Sequence, residues 1–287
     1  MENILKSETL NATLKQKGYV IIPFLNSTEV TSLKEAYQKS HPNNPDGFYA
    51  TTHANDVNFR KHANEQIKAV LNAPIKKNIQ NINALGGAFI SKSPNKKGVL
   101  PLHQDWNIVN EDKYQSYNIW IPLQDVDEYN GAIRVLERSH NKMKTYRGPN
   151  ISPILANIAD EVQAHMISLN MKAGEALIYN HALWHSSPIN QSDQHRLAVV
   201  YGIIPKAATM MYYYRNKKNV EEYISNLDFF FNNNPERGPQ GLTKTRTIPH
   251  TIEFLNKESF QQVYLDNPFK KNKSIASIII KLFKSKK

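Results

Sequence analysis

Apolar and polar positions follow two different periods along this chain, and the change falls near residue 84. Before it the spacing is helical. Ile4, Leu5, Leu10 and Leu14 recur among polar residues, which predicts a short amphipathic helix through residue 17 that Gly18 ends. Tyr19-Val20-Ile21-Ile22-Pro23-Phe24-Leu25 reads as a buried strand. Asn26, with Glu29 three positions later, marks a capping-box start for a helix to about Gln38. The turn residues of His41 to Gly47 make a loop, and another helix is predicted from about Asn58 to Leu71, with room to resume after Pro74.

From Ala84 onward the runs become short and β-like: Gly87–Lys92, Tyr117–Val126, Ala132–Leu136, His165–Met171, Ala176–Tyr179, Arg196–Ile204 and Thr209–Tyr214. Turn signals such as Tyr129-Asn130-Gly131 and Lys172-Ala173-Gly174 separate them. Many short strands joined this way predict a sandwich or jelly roll. Residues 145–163 interrupt the strands with a loop and short helix long enough to serve as a lid. Val220–Phe231 reads as a helix followed by a polar loop, and no internal repeat is visible.

Composition narrows the class. Hydrophobic residues at 40% and charged residues at 21% of 287 positions suit a globular domain, and no apolar run approaches the roughly 20 residues of a membrane span. The absence of cysteine excludes disulfides and thiolate ligands. With no signal-peptide pattern at the N-terminus, a cytoplasmic enzyme is the expectation. The net charge of +11 is uneven: seven lysines and no acid lie between residues 267 and 287, leaving +4 for the rest. A basic face with interleaved aromatics is missing, so nucleic acid is not an expected partner.

Candidate chemistry centres on Leu100-Pro101-Leu102-His103-Gln104-Asp105-Trp106. On extended backbone His103 and Asp105 leave one face and can reach one metal ion, while Gln104 points away. A third ligand is offered by Tyr179-Asn180-His181-Ala182-Leu183-Trp184-His185, whose His185 lies 82 residues beyond His103. Two imidazoles and one carboxylate leave three coordination positions open, the pattern of a non-haem Fe(II) oxygenase. A dicarboxylate cosubstrate would need a cation for its far end. Arg196, eleven residues after His185, is the candidate, with the Ser187 hydroxyl beside it.

The ordered set of motifs resembles the phytanoyl-CoA dioxygenase family of iron- and 2-oxoglutarate-dependent oxygenases. It comprises Gly18-Tyr19-Val20, His103-Gln104-Asp105, Trp120-Ile121-Pro122-Leu123-Gln124-Asp125, Asn130-Gly131-Ala132-Ile133-Arg134-Val135, Ser139-His140, Gly174-Glu175, His185-Ser186-Ser187, Asn190, Ser192 and Arg196. The resemblance covers roughly residues 18–205. It implies an α+β protein with a double-stranded β-helix (jelly-roll) core and helices packed on one side. It also implies that His103, Asp105 and His185 hold Fe(II), that Arg196 and Ser187 bind 2-oxoglutarate, and that Trp120 lines that pocket. O2 would be the second cosubstrate, with succinate and CO2 released as a small-molecule substrate is hydroxylated. Glu175 stands where the family often has Asp. Asp105 matters further, because related halogenases carry a small residue there.

The resulting expectation is one dioxygenase domain over residues 1–270, with its jelly-roll core at about 84–215 and a basic tail at 271–287. A sensor module on the same fold, binding metal and 2-oxoglutarate without turnover, is the alternative. His181 is expected near the site but not as a ligand. Arg134 and Arg138 could meet an anionic substrate or be solvated. Met210–Tyr214 and Phe229–Phe231 could wall the substrate or be ordinary core. Within residues 272–287, apolar Ile275, Ile278, Ile279, Leu282 and Phe283 are bordered by lysines. That face suits either peripheral contact with an anionic membrane or docking within the protein or a dimer.

Overall fold

The computed structural model describes residues 2–41, 43–94 and 98–265. The basic tail, and with it the membrane-contact expectation, lies outside the described residues. No described helix is long and apolar enough to cross a membrane.

The N-terminal third alternates helix and strand: α1 (Glu8–Lys17), β1 (Tyr19–Pro23), α2 (Ser27–Ser40), β2 (Phe48–Ala50), α3 (Val57–Asn78) and β3 (Ile82–Lys92). Gly18 ends α1 in the left-handed region at φ 90°. A full capping box between Asn26 and Glu29 opens α2. The predicted helix over 58–71 is one continuous element to Asn78 that runs through Pro74.

Next come β4 (Leu100–His103), β5 (Tyr117–Pro122), β6 (Arg134–Val135), α4 (Ser139–Lys142), α5 (Ala159–Gln163) and β7 (Ile167–Ser168). They are followed by β8 (Glu175–Asn180), β9 (His185–Ser187) and β10 (Arg196–Pro205). One six-stranded sheet has the order β1-β8-β5-β10-β3-β2, and a four-stranded sheet has the order β4-β9-β6-β7. The six-stranded sheet is buried on both faces. Leu197, Val199, Tyr201 and Ile203 of β10 join Phe89, Ile119 and Ile121 against Leu33, Ile67 and Leu71 of the helices. The alternate residues face the other way, where Ala198, Trp120, Leu177 and Tyr179 pack with Ala132, Ile133 and Val135 from around the smaller sheet. This is the expected jelly roll with helices on one side.

Beyond β10 lie β11 (Met211–Asn216), β12 (Asn219–Ile224), α6 (Leu227–Asn232), β13 (Thr243–Pro249) and α7 (Lys257–Phe260). The helix expected over Val220–Phe231 is therefore corrected to a strand followed by a short helix. β12 is the centre of a separate β11-β12-β13 sheet. Its buried Glu222 accepts hydrogen bonds from Arg246, Thr245 and Tyr213, partners that local periodicity cannot reveal. Asn226 then caps α6 through Phe229 N. Met211 and Tyr213 pack with Ile151 and Val220, and Tyr212 with Tyr223 and Phe229, so these aromatics are core rather than an open wall. The expected lid spans Ile154, Leu155, Ile158 and Val162, which pack on Leu102, Trp184, Leu255 and Phe260.

Candidate metal centre

β4 and β9 pair so that His103 stands directly opposite His185. Residues so opposed present their side chains on one face, and the two imidazoles lie 4.2 Å apart between ring centroids. Asp105 follows β4 by two residues, and its Oδ1 lies 3.8 Å from His103 Nε2 and 3.9 Å from His185 Nε2. One ligand atom from each of the three residues falls within 4.8 Å of the others. Among the described residues no other group of three metal-binding side chains converges in this way.

The backbone sets which nitrogen of each ring faces the centre. His103 Nδ1 lies 2.8 Å from Pro101 O, and His185 Nδ1 lies 2.9 Å from Leu183 O. A carbonyl only accepts, so each Nδ1 carries the proton and each Nε2 keeps its lone pair for a metal. Burial, then the neighbouring His103, pushes His185 down to about 4, which leaves it neutral at neutral pH. Burial works to raise the Asp105 carboxyl, but His185, His181, His103 and the Asn118 hydrogen bond together hold it below its ordinary value. The donor set is thus two imidazole Nε2 atoms and one carboxylate. His185 is nearly covered, whereas the side chains of His103 and Asp105 are 27% and 24% exposed, so the centre opens on their side.

Gln104 points away, as extended backbone requires, and its Nε2 donates to Ala182 O at 2.6 Å and to Met143 O. The residue between two candidate ligands therefore pins the turn that carries the third. His181 lies in that turn, buried, and outside the converging trio.

Arg196 opens β10 with only 2% of its surface exposed, its guanidinium carbon 5.3 Å from the centre of the Trp120 ring. Its Nε and Nη1 have no hydrogen-bond partner among the described residues. Burial pulls its pKa down to about 10, so it remains charged at neutral pH. A buried cation with free donors fits an entering carboxylate.

Ser187 lies two residues beyond His185 on β9. Its hydroxyl donates to Gly131 O at 2.7 Å and accepts from Lys92 Nζ at 2.6 Å. Lys92 also donates to the carbonyls of Ser187 and Pro188, and it stands opposite Arg196 across β3 and β10. Burial, helped by the charge of Arg196, drags Lys92 down to about 6. Asn190 holds the Lys92 carbonyl from the turn before β10.

Lys92, Asn118 and Arg147 are absent from the sequence-level site. Lys92 closes an apolar run and reads locally as a strand end. Asn118 precedes Trp120 by two residues on one strand face, a signal that the sequence carries. Arg147 pairs with Glu111, and both are almost covered. Its Nε donates to Asp105 O at 2.6 Å, which ties the start of the 145–163 segment to the backbone of a candidate ligand. Arg134 and Arg138 instead pair with Glu128 and Glu137 near the surface. At the Gly174 turn, Glu175 accepts from Lys172 N at 2.8 Å, so this carboxylate closes the turn.

Comparison with known proteins bears on the fold and the family. No curated protein matches the chain. The non-haem α-ketoglutarate-dependent carbocyclase SnoK from nogalamycin biosynthesis is 16% identical with a TM-score of 0.54, over 71% of this chain and 86% of its own. HygX from Streptomyces hygroscopicus, crystallised with nickel and 2-oxoglutarate, is 16% identical with a TM-score of 0.51, over 70% and 88%. At that identity the likeness speaks for the fold. A model of the phytanoyl-CoA dioxygenase (PhyH) family matches residues 14–198, well over half of the chain. The chain belongs to the phytanoyl-CoA dioxygenase family of iron- and 2-oxoglutarate-dependent oxygenases.

Proposed function

We propose that this enzyme hydroxylates an unactivated C–H bond of a small-molecule substrate, lipid-like or anionic in character, with release of succinate and CO2. The observation that carries the site assignment is the convergence of His103 Nε2, Asp105 Oδ1 and His185 Nε2 from one strand pair and its extension. In this reading these three atoms hold Fe(II), which when bound supplies the redox chemistry that couples decarboxylation of 2-oxoglutarate by O2 to substrate oxidation.

The chain's own residues bind and orient. Arg196 receives the far carboxylate of 2-oxoglutarate on its free Nε and Nη1, with Trp120 packed against the guanidinium. Lys92, opposite Arg196 on β3, is committed to Ser187 and Pro188, and the Ser187 hydroxyl joins the cosubstrate only by releasing Gly131 O. The fully buried strand faces around Ala198 and Leu177 keep water from the cosubstrate side. Asp105 supports hydroxylation over halogenation, since a halogenase of this kind lacks the metal carboxylate. SnoK is named a carbocyclase, so ring formation is the competing outcome for the same fold.

Anaerobic addition of Fe(II) and then 2-oxoglutarate to the full chain tests the site. A weak visible charge-transfer band that is lost in Asp105→Ala is expected, and its absence from the native protein overturns the assignment. Screening substrates for stimulated succinate release, with mass analysis of the product, tests hydroxylation. A product heavier by one oxygen is expected, whereas a product lighter by two hydrogens would replace hydroxylation with ring closure or desaturation.

A further inference from the structure

Asn118 and Trp120 leave the same face of β5, two residues apart. Trp120 lies against Arg196, and Asn118 lies against Asp105, so one strand touches both ends of the site. In register Asn118 stands between Tyr179 of β8 and Gly202 of β10. Gly202 presents no side chain, and a Cβ there would already lie 3.5 Å from Asn118 Oδ1 and 3.0 Å from Leu85 Cβ. That Cβ would make only ordinary contact with the amide, and its tight neighbour would be Leu85.

Asn118 Nδ2 donates to Asp105 Oδ2 at 2.9 Å and to the Tyr179 hydroxyl at 3.3 Å. An ionised carboxylate only accepts, so the amide nitrogen must face it, and both amide hydrogens are then committed. The two acceptors fix the amide plane. Asp105 Oδ2 is the oxygen the amide holds, while Oδ1 lies within 4 Å of both Nε2 atoms.

A carboxylate free to swing can bind a metal through both oxygens and occupy an extra position. Three open positions survive only if Asp105 binds through one. We infer that Asn118 is a positioning residue that holds Asp105 to a single ligating oxygen and so keeps free the position a chelating cosubstrate needs. This rests on the metal reading above. It adds a residue outside the ligand trio, and it separates metal binding from cosubstrate binding.

The test uses the full-length metal-free protein, Co(II) alone as the first probe and 2-oxoglutarate as the second. Co(II) d–d absorption reports coordination without turnover. Asn118→Ala should still bind Co(II), with an altered visible spectrum before cosubstrate is added, and 2-oxoglutarate affinity should fall about 10- to 100-fold. Asn118→Asp, which keeps the shape but loses both donors, should fall at least as far. A native spectrum together with native 2-oxoglutarate affinity in Asn118→Ala overturns the inference. If that variant does not fold, Asn118→Leu decides: it keeps the approximate shape without the donors, the same two changes are expected, and a native spectrum with native 2-oxoglutarate affinity overturns the inference. Failure of the native protein to bind Co(II) would refute the metal reading itself, a result distinct from either.

Discussion

Lys92 and Arg196 stand directly opposite each other across β3 and β10, both essentially without solvent exposure. Two adjacent basic groups in a buried site repel unless something compensates them. Lys92 finds three oxygens on Ser187 and Pro188, while two donors of Arg196 stay free. Under the proposed function this asymmetry suits Arg196 to receive an incoming anion and Lys92 to shape its surroundings.

Replacing Arg196 with Gln should therefore raise the 2-oxoglutarate concentration needed for half-maximal succinate release by about 30-fold or more, the equivalent of ~2 kcal/mol. Arg196→Lys should not restore it, because a single ammonium lacks the planar fork. Binding of Co(II) without cosubstrate should be unaffected in both variants. Equal loss of metal and cosubstrate affinity would show instead that the change collapsed the site.

Lys92 should leave a trace in stability against pH. Its folded pKa is down at about 6 from an ordinary 10.5, through burial and then Arg196. Between those values the unfolded chain holds a proton that the folded chain has released, so this residue makes stability rise with pH across that window. Below about 6 both states are protonated and the full penalty is present. In urea titrations of the metal-free protein, Lys92→Met should flatten the rise between pH 6 and pH 10. Identical slopes for the two proteins would count against it.

Asp105→Ala should abolish succinate formation, because it removes one of three converging ligand atoms. His181→Ala should retain a substantial part, since His181 is buried in the adjoining turn and outside the trio. Assaying both variants at saturating Fe(II) checks the assignment, and equal loss would make His181 part of the machinery.

Glu111 and Arg147 form a nearly covered pair whose arginine also holds the Asp105 carbonyl. Glu111→Ala would leave a buried guanidinium short of its counter-charge, and a loss of about 3–5 kcal/mol in urea unfolding is expected. Glu111→Ala with Arg147→Met should recover much of that stability. The double variant should still bind metal more weakly than the native protein, because the Asp105 backbone has lost its anchor. Full recovery of both would assign the pair a purely structural role.

Much of the fold follows from local pattern. The capping box at Asn26 and Glu29, the left-handed stop at Gly18 and the apolar runs of β5, β8 and β10 all depend on residues within one turn or one strand. The same locality explains why His103 and Asp105 were legible as a pair, and why Gln104 was expected to face away. The element that failed, Val220–Phe231, failed for the converse reason. Its Glu222 is satisfied by Arg246 and Thr245, more than twenty residues away, and that partnership makes a strand from a run with helical spacing.

By itself the sequence determined which chemistry was available: two imidazoles and a carboxylate, an arginine after a short turn, and strands able to present them. Only the tertiary structure decided which atoms meet. Strand register is set by pairing between distant segments, and a slip of one residue reverses every side chain's face. Register brought His185 opposite His103, Lys92 opposite Arg196, and Asn118 beside Tyr179 within reach of Asp105.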